Sequence, residues 1–238
     1  MSLLEFIIWI IATLSIVTIT VLASRRFGVE IAIGVFATLT VVANLVCRKL
    51  VIVRNFIVPA GVIVYSSTFL VTDIISEVYG KEKGKRAVIC GLLANIVMLI
   101  SVLIVLMWTP ADIPGNLEVA KAFRTVFSLT PRIVFASIVA YFISQMHDVY
   151  AFHFWKTKTH GKHLWLRNNA STIVSQAIDT TVFITLAFYG VVPNEVLFGM
   201  ILGQYIIKVV IALLDTPFMY MTTAVFRDGC VNLRKQLI

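Results

Sequence analysis

Seven runs of mainly apolar residues divide the chain, at 3–23, 28–47, 55–78, 87–108, 131–152, 168–190 and 196–223. A hydrocarbon layer about 30 Å thick needs a helix of about twenty such residues, so each run predicts a membrane span. Polar positions inside the runs are not scattered. In NNASTIVSQAIDTTVFI (168–184), Asn169, Thr172, Gln176 and Asp179 recur at spacings of three, four and three. On a helix they lie along one stripe, with Ile173, Val174, Ala177, Ile178 and Val182 opposite. The run 131–152 repeats the pattern with Ser137, Tyr141, Ser144 and Asp148, beside Gln145. The run 196–223 has Gln204, Lys208 and Asp215 on one face, and 55–78 has Ser66, Asp73 and Glu77. Asn44 adds a lone amide to the second span.

Composition agrees with spans. The chain is 59% hydrophobic and 13% charged, with a mean hydropathy of +0.95, outside the range of soluble domains. The pattern therefore predicts an all-α integral membrane protein with seven spans and one compact domain. The first run includes Glu5, has no Lys or Arg before it, and continues to Ala23. That is too long for a signal-peptide core, so it reads as a retained helix. Cys47, Cys90 and Cys230 show no metal-ligand or redox spacing. No metal, cofactor or catalytic residue is expected.

The net charge of +8 does not point to nucleic acid, because the basic residues gather in loops of the cytoplasmic type. Lys81, Lys83, Lys85 and Arg86 lie in one; Lys156, Lys158, Lys162 and Arg167 in a second; Arg227, Arg234 and Lys235 in the tail. The segment after Trp108 is balanced, with Asp112 and Glu118 against Lys121 and Arg124. Alternation then puts the amino terminus outside and the carboxyl terminus inside. Arg25 and Arg26 fit this arrangement, whereas Arg48, Lys49 and Arg54 fall on the outer side against the rule. A re-entrant second segment would remove that conflict. No internal repeat is evident.

Asp73, Glu77, Asp148, Asp179, Asp215 and Lys208 fall within predicted spans. Each costs about 2.5–3.5 kcal/mol near a helix centre, so they should face a protein interior or a wet cavity rather than lipid. Asp179 and Lys208 sit near mid-span, and 10 Å or so of helix separates Lys208 from Asp215. Each therefore needs a partner on another helix, Asp179 being the natural one for Lys208. Glu77 is close enough to its helix end to be either a site residue or an interfacial acid beside a basic loop. Converging stripes describe a central polar cavity. Its carboxylates and amides suit a flat heterocycle with N–H donors and a carbonyl, and aromatics such as Tyr65, Tyr141, Phe152 and Tyr205 supply stacking faces. The candidate ligand-binding set is Asn44, Asp73, Glu77, Gln145, Asp148, Asn169, Gln176, Asp179, Lys208 and Asp215.

Four blocks in order carry a resemblance: TFLVTDIISEVYG (68–80), RIVFASIVAYFISQMHDVYAFHFWK (132–156), LWLRNNASTIVSQAIDTTVFITLAFYG (164–190) and KVVIALLDTPFMY (208–220). Together they resemble the queuosine precursor transporter family. The resemblance implies import of 7-cyano-7-deazaguanine or a related deazapurine across the inner membrane, for salvage into modified tRNA. It implies a six-helix core, 28–225, akin to vitamin-binding S components. An extra amino-terminal helix (1–27) and a basic cytoplasmic tail (226–238) flank that core. Expected partners are a deazapurine and the lipid bilayer, not nucleic acid; association into a homo-oligomer stays open.

Two other classes compete. An intramembrane enzyme lacks support, since no Gly-x-Ser-x-Gly or His-Glu-x-x-His is present. A binding subunit that needs an energising partner would show a small-residue docking face, for which Ala32, Gly34 and Ala37 are the one hint.

Overall fold

The computed structural model describes residues 3–47, 49–53, 56–127 and 131–236. In chain order these form α1 (Leu3–Leu22), the single turn α2 (Ser24–Phe27), α3 (Val29–Val46), β1 (Leu50–Val53), β2 (Phe56–Pro59), α4 (Val62–Tyr79), α5 (Lys81–Met107), α6 (Asn116–Phe127), α7 (Pro131–Lys158), α8 (Leu164–Phe188) and α9 (Asn194–Gln236). Six stretches are long and apolar enough to cross a membrane: Leu4–Phe27, Val29–Val46, Val62–Tyr79, Lys81–Met107, Leu164–Phe188 and Asn194–Phe226. The α7 helix occupies the predicted fifth span and has 28 residues. It is not one of the six, and it carries Arg132, Gln145, His147, Asp148, His153 and Lys156 among its apolar positions.

The α4 helix is the axis of the bundle. Its residues from Ser66 to Ser76 are all buried, and it packs against α1, α3, α5, α7, α8 and α9. Being enclosed on every side, it shows no lipid-facing stripe. The outer helices do. On α1, Phe6, Ile10, Leu14, Val17 and Val21 are buried at helical spacing, while Leu4, Ile8, Trp9, Ile11 and Ile19 point outward. On α5, Ile89, Leu93, Val97 and Ile100 form an exposed apolar row. Lipid tails are as apolar as leucine, so such rows gain nothing by packing on another helix. Cohesion has to come from close backbone approach and interhelical hydrogen bonds.

Side-chain contacts fix which helix ends meet. At one end Ser24 hydrogen-bonds Tyr79, the Tyr79 ring meets Phe226, and Glu77 pairs with Lys156 and Arg167. At the other, Asn44 donates to Asn95, Ser137 donates to Asn44, and Arg132 donates to the carbonyls of Leu186 and Tyr189. Successive long helices therefore run in alternate directions. The α4 and α5 helices are joined by Gly80 alone, at φ 89°, a left-handed conformation that other residues adopt only with strain.

Three expectations need correction. The span predicted at 55–78 starts only at Val62, although the all-α class stands. The β-branched run before Val62 pairs as an antiparallel hairpin, with Leu50 opposite Pro59 and Val51 opposite Val58. Pro59 and Gly61 discourage a helix there. The segment after Trp108 contains α6, on which no residue is buried. The helix predicted from 168 begins at Leu164, which draws Arg167 out of the basic loop and into the fold. The re-entrant alternative is not adopted, since α3 is a continuous 18-residue helix. Arg48 and Arg54, and the side chains of Arg227, Cys230, Arg234 and Lys235, lie outside what is described.

Close approach is most demanding at Gly61, where an added Cβ would stand 2.5 Å from the Ala43 carbonyl oxygen of α3. Gly34, exposed on α3, has open space around it. Gly61→Ala should cost about 1–3 kcal/mol and lower the melting temperature in detergent. Gly34→Ala should leave it unchanged or raise it, because alanine is the better helix former. Equal melting temperatures for the two variants would show that the α3–α4 contact yields easily.

Candidate functional site

The polar stripes resolve into two buried groups and a clamp, stacked along the bundle. The first group surrounds Asp179. Lys208 Nζ lies 2.5 Å from Asp179 Oδ2, joining α9 to α8 as the mid-span positions predict. Asp179 Oδ1 accepts from the Tyr65 hydroxyl at 2.6 Å and from Ser144 at 3.0 Å. The ammonium also sits over the Tyr65 ring, 5.1 Å from its centroid. Four helices thus converge on one carboxylate. A buried ion pair is tolerable in hydrocarbon only when further hydrogen bonds satisfy it in this way.

Asp179, Lys208 and Tyr65 line a cavity of about 110 Å³. It lies toward the end of the bundle where α3 and α5 finish and α4, α7 and α9 begin. Asn44, Asn95, Ser137 and Gln204 supply its other polar groups, and Met98, Leu99 and Phe183 supply apolar wall. Its amides are pre-positioned: Asn95 donates to Thr40 Oγ1 at 2.9 Å and to the Gly91 carbonyl at 2.8 Å, while its own oxygen accepts from Asn44. The cavity is largely apolar with a few convergent polar groups, which is the chemistry of a small-molecule site, but it is smaller than such sites ordinarily are.

The second group lies deeper, toward the other end. Thr172 stands 3.3 Å from Asp73 and 3.5 Å from Asp148. Ser175 donates to Asp148 at 3.1 Å, and Asn168 donates to Asp215 at 2.9 Å. All six side chains are buried. Below them Arg167, fully buried, bonds Glu77 at 2.7 Å and the carbonyls of Gly161 and Lys162. Lys156 holds the second Glu77 oxygen at 3.0 Å. This clamp ties the ends of α4 and α7 to the start of α8.

Of the ten candidates, Asn44, Asp179 and Lys208 line the cavity. Gln145 lies next to it, donating to Thr68 at 2.7 Å. Asp73, Asp148 and Asp215 form the second group and Glu77 belongs to the clamp. Asn169 bonds Thr216 and the Trp165 carbonyl at the α8–α9 seam. Gln176 is fully buried between the two groups. Sequence reasoning missed Asn95, a lone amide in an apolar span like Asn44, and left Tyr65 among the stacking aromatics. It also took α8 to have one polar stripe, whereas Asn168, Ser171 and Ser175 form a second buried row. Among the described residues no group of three or more His, Cys, Asp or Glu side chains is arranged to hold a metal ion. Ala32 is buried while Gly34 and Ala37 are not, so they do not make one docking face.

Residues 59–222 match the family model described as "Putative vitamin uptake transporter". The chain is 31% identical over 216 residues to the "Probable queuosine precursor transporter" of Bacillus subtilis (strain 168), an alignment that covers 89% of this chain and 92% of that relative. No solved structure matches. The family match begins after α3 and spans the residues of the acidic group and the clamp with most of the cavity wall, and both matches are to transporters rather than enzymes. A multi-pass helical protein with a polar interior of this kind, the chain belongs to the queuosine precursor transporters, within the family of "Putative vitamin uptake transporter" proteins.

Proposed function

We propose that the chain imports a queuosine precursor, 7-cyano-7-deazaguanine or a related 7-deazapurine, across the inner (plasma) membrane for salvage into tRNA. The observation that carries this reading is the Asp179 carboxylate at the wall of the cavity, among amides and apolar side chains. A deazaguanine presents a ring N–H and an exocyclic amine side by side, which one carboxylate accepts together. A carboxylate offers about four acceptor positions, and Tyr65, Ser144 and Lys208 occupy three of them. Binding therefore exchanges donors: the ligand's N–H groups take over from the hydroxyls, and Lys208 stays to hold the charge. The ligand's carbonyl finds its donor in the Asn44 and Asn95 amides or in Gln204. Phe183, Met98 and Leu99 cover the ring faces. Gln145 and Gln176 act just behind the site. Asp73, Asp148 and Asp215 lie on the route beyond it.

In this reading α7 completes seven crossings with α1, α3, α4, α5, α8 and α9, and the helices from α3 to α9 form a core like that of S components. The cavity faces outward and the carboxyl terminus is cytoplasmic, because the basic segments around Lys83 and Lys158 belong inside. The Glu77–Arg167–Lys156 clamp then closes the inner end while the outer cavity loads. Its opening on the loaded protein would be the release step.

Uptake of labelled 7-cyano-7-deazaguanine by a strain dependent on salvage, in a host without energising partner modules, tests the activity directly. Restored queuosine in its tRNA is the expected result; uptake only once such modules are supplied would make the chain a binding subunit, and no uptake with or without them would reject the substrate. Reporters fused after Lys83 and after Lys158 should report the cytoplasm, and one after Gly115 the outside; Gly115 and Lys83 on one side would undo the crossing count. Lys208→Met leaves Asp179 uncompensated at a cost of about 3–5 kcal/mol, so the amount of inserted protein should fall. Adding Asp179→Asn should restore that amount without restoring uptake, whereas Ile178→Val should be nearly silent. A double variant that transports normally would remove the pair from the site.

A further inference from the structure

The acidic group has a property the cavity lacks. Asp73, Asp148 and Asp215 are fully buried on three different helices, and the donors that reach them are hydroxyls and one amide. The fixed charges nearby are committed elsewhere. Lys208 is bound to Asp179 on one side, and Arg167 and Lys156 are bound to Glu77 on the other. No cation faces the three carboxyls from α4, α7, α8 or α9 among the described residues. Both polar atoms of the neighbouring Gln176 are buried without a partner, and so are three oxygens of the group itself. These oxygens are Asp73 Oδ1, Asp148 Oδ2 and Asn168 Oδ1, the last on an amide held against Asp215 by its own nitrogen. Neighbouring carboxyls of this kind cannot all ionise, and sharing a proton relieves them.

A route to the group is also present. Ser175, which donates to Asp148, lies 2.9 Å from Nδ1 of His147. His147 is half-buried and opens onto a groove with Lys81 and Tyr150, at the basic end of the bundle. Imidazole is the side chain that loads and unloads a proton near neutral pH. In a transfer through Ser175, a proton leaves the Asp148 carboxyl for the serine oxygen as the hydroxyl's own proton passes to Nδ1 of His147. Asp148 returns to carboxylate, His147 becomes imidazolium, and the serine is unchanged.

We propose that Asp73, Asp148 and Asp215 form a proton-binding site that couples import to proton entry, with Ser175 and His147 carrying the proton out at the basic end. The proposal rests on the transporter reading and adds its driving force.

Purified protein in liposomes, supplied with labelled 7-cyano-7-deazaguanine, tests it. An inside-alkaline gradient of one pH unit should raise accumulation about tenfold, the factor one pH unit is worth at one proton per substrate. A protonophore should abolish the rise, and a trapped pH-sensitive dye should report acidification when substrate is added. Asp148→Asn should remove gradient-driven accumulation at an unchanged amount of reconstituted protein. His147→Gln and Ser175→Ala should slow it while leaving exchange of internal for external substrate as it was. Accumulation that ignores the pH gradient, or follows a sodium gradient at equal pH, overturns the coupling and leaves the transporter reading standing. If neither exchange nor uptake occurs under any gradient, the substrate reading falls, and the coupling with it.

Discussion

Nothing in the hydrocarbon interior of a bilayer can solvate a charge, so every ionised side chain inside the bundle must be answered by another part of the chain. The Lys208–Asp179 contact is the main answer in this protein. It joins the two helices whose polar residues reach deepest, and it draws Tyr65 from α4 and Ser144 from α7 onto the same carboxylate. Without the pair, four helices lose their common point. The cavity beside it would then have apolar walls and no anchor.

Polar chemistry changes character along the bundle. Near the cavity, donors are plentiful: an ammonium, a phenol, two asparagines and a serine. In the middle, around Asp148, acceptors exceed donors. At the far end, two cations share Glu77. Under the proposed import, a solute with both donors and acceptors on its edge would meet no wholly apolar stretch along this column. The helices that form this column are also those whose contacts are polar rather than greasy, which is what association inside lipid requires.

How much could be read in advance depended on how singular each residue was. Asp179 and Lys208 are ionisable groups at mid-span, which leaves them little choice but each other, and their pairing was legible. Asn44 was legible for the same reason, and Asn95 should have been. Ser171 and Ser175 were not, because a serine in a helix can satisfy itself on the preceding turn, as both do. Arg167 looked like one more loop cation, since its burial depends on Glu77, ninety residues earlier. The hairpin at 50–59 was hidden because a β-branched apolar run reads equally well as the start of a span. The charge conflict around Lys49 was its one signal.

The single-residue joint at Gly80 has a consequence for how the chain enters a membrane. With six buried serine, threonine and aspartate side chains between Ser66 and Ser76, α4 is less suited to partition into lipid alone than α5, at a mean hydropathy of 1.3 against 2.9. The α5 helix, with its long apolar row, is well suited. One glycine leaves no length of chain for the two to cross separately, so they must be delivered together as a hairpin, the greasy helix carrying the polar one. The same logic couples α7 to α8 across the short turn 159–163. Gly80 thus makes a single unit of insertion out of two helices of unequal hydropathy.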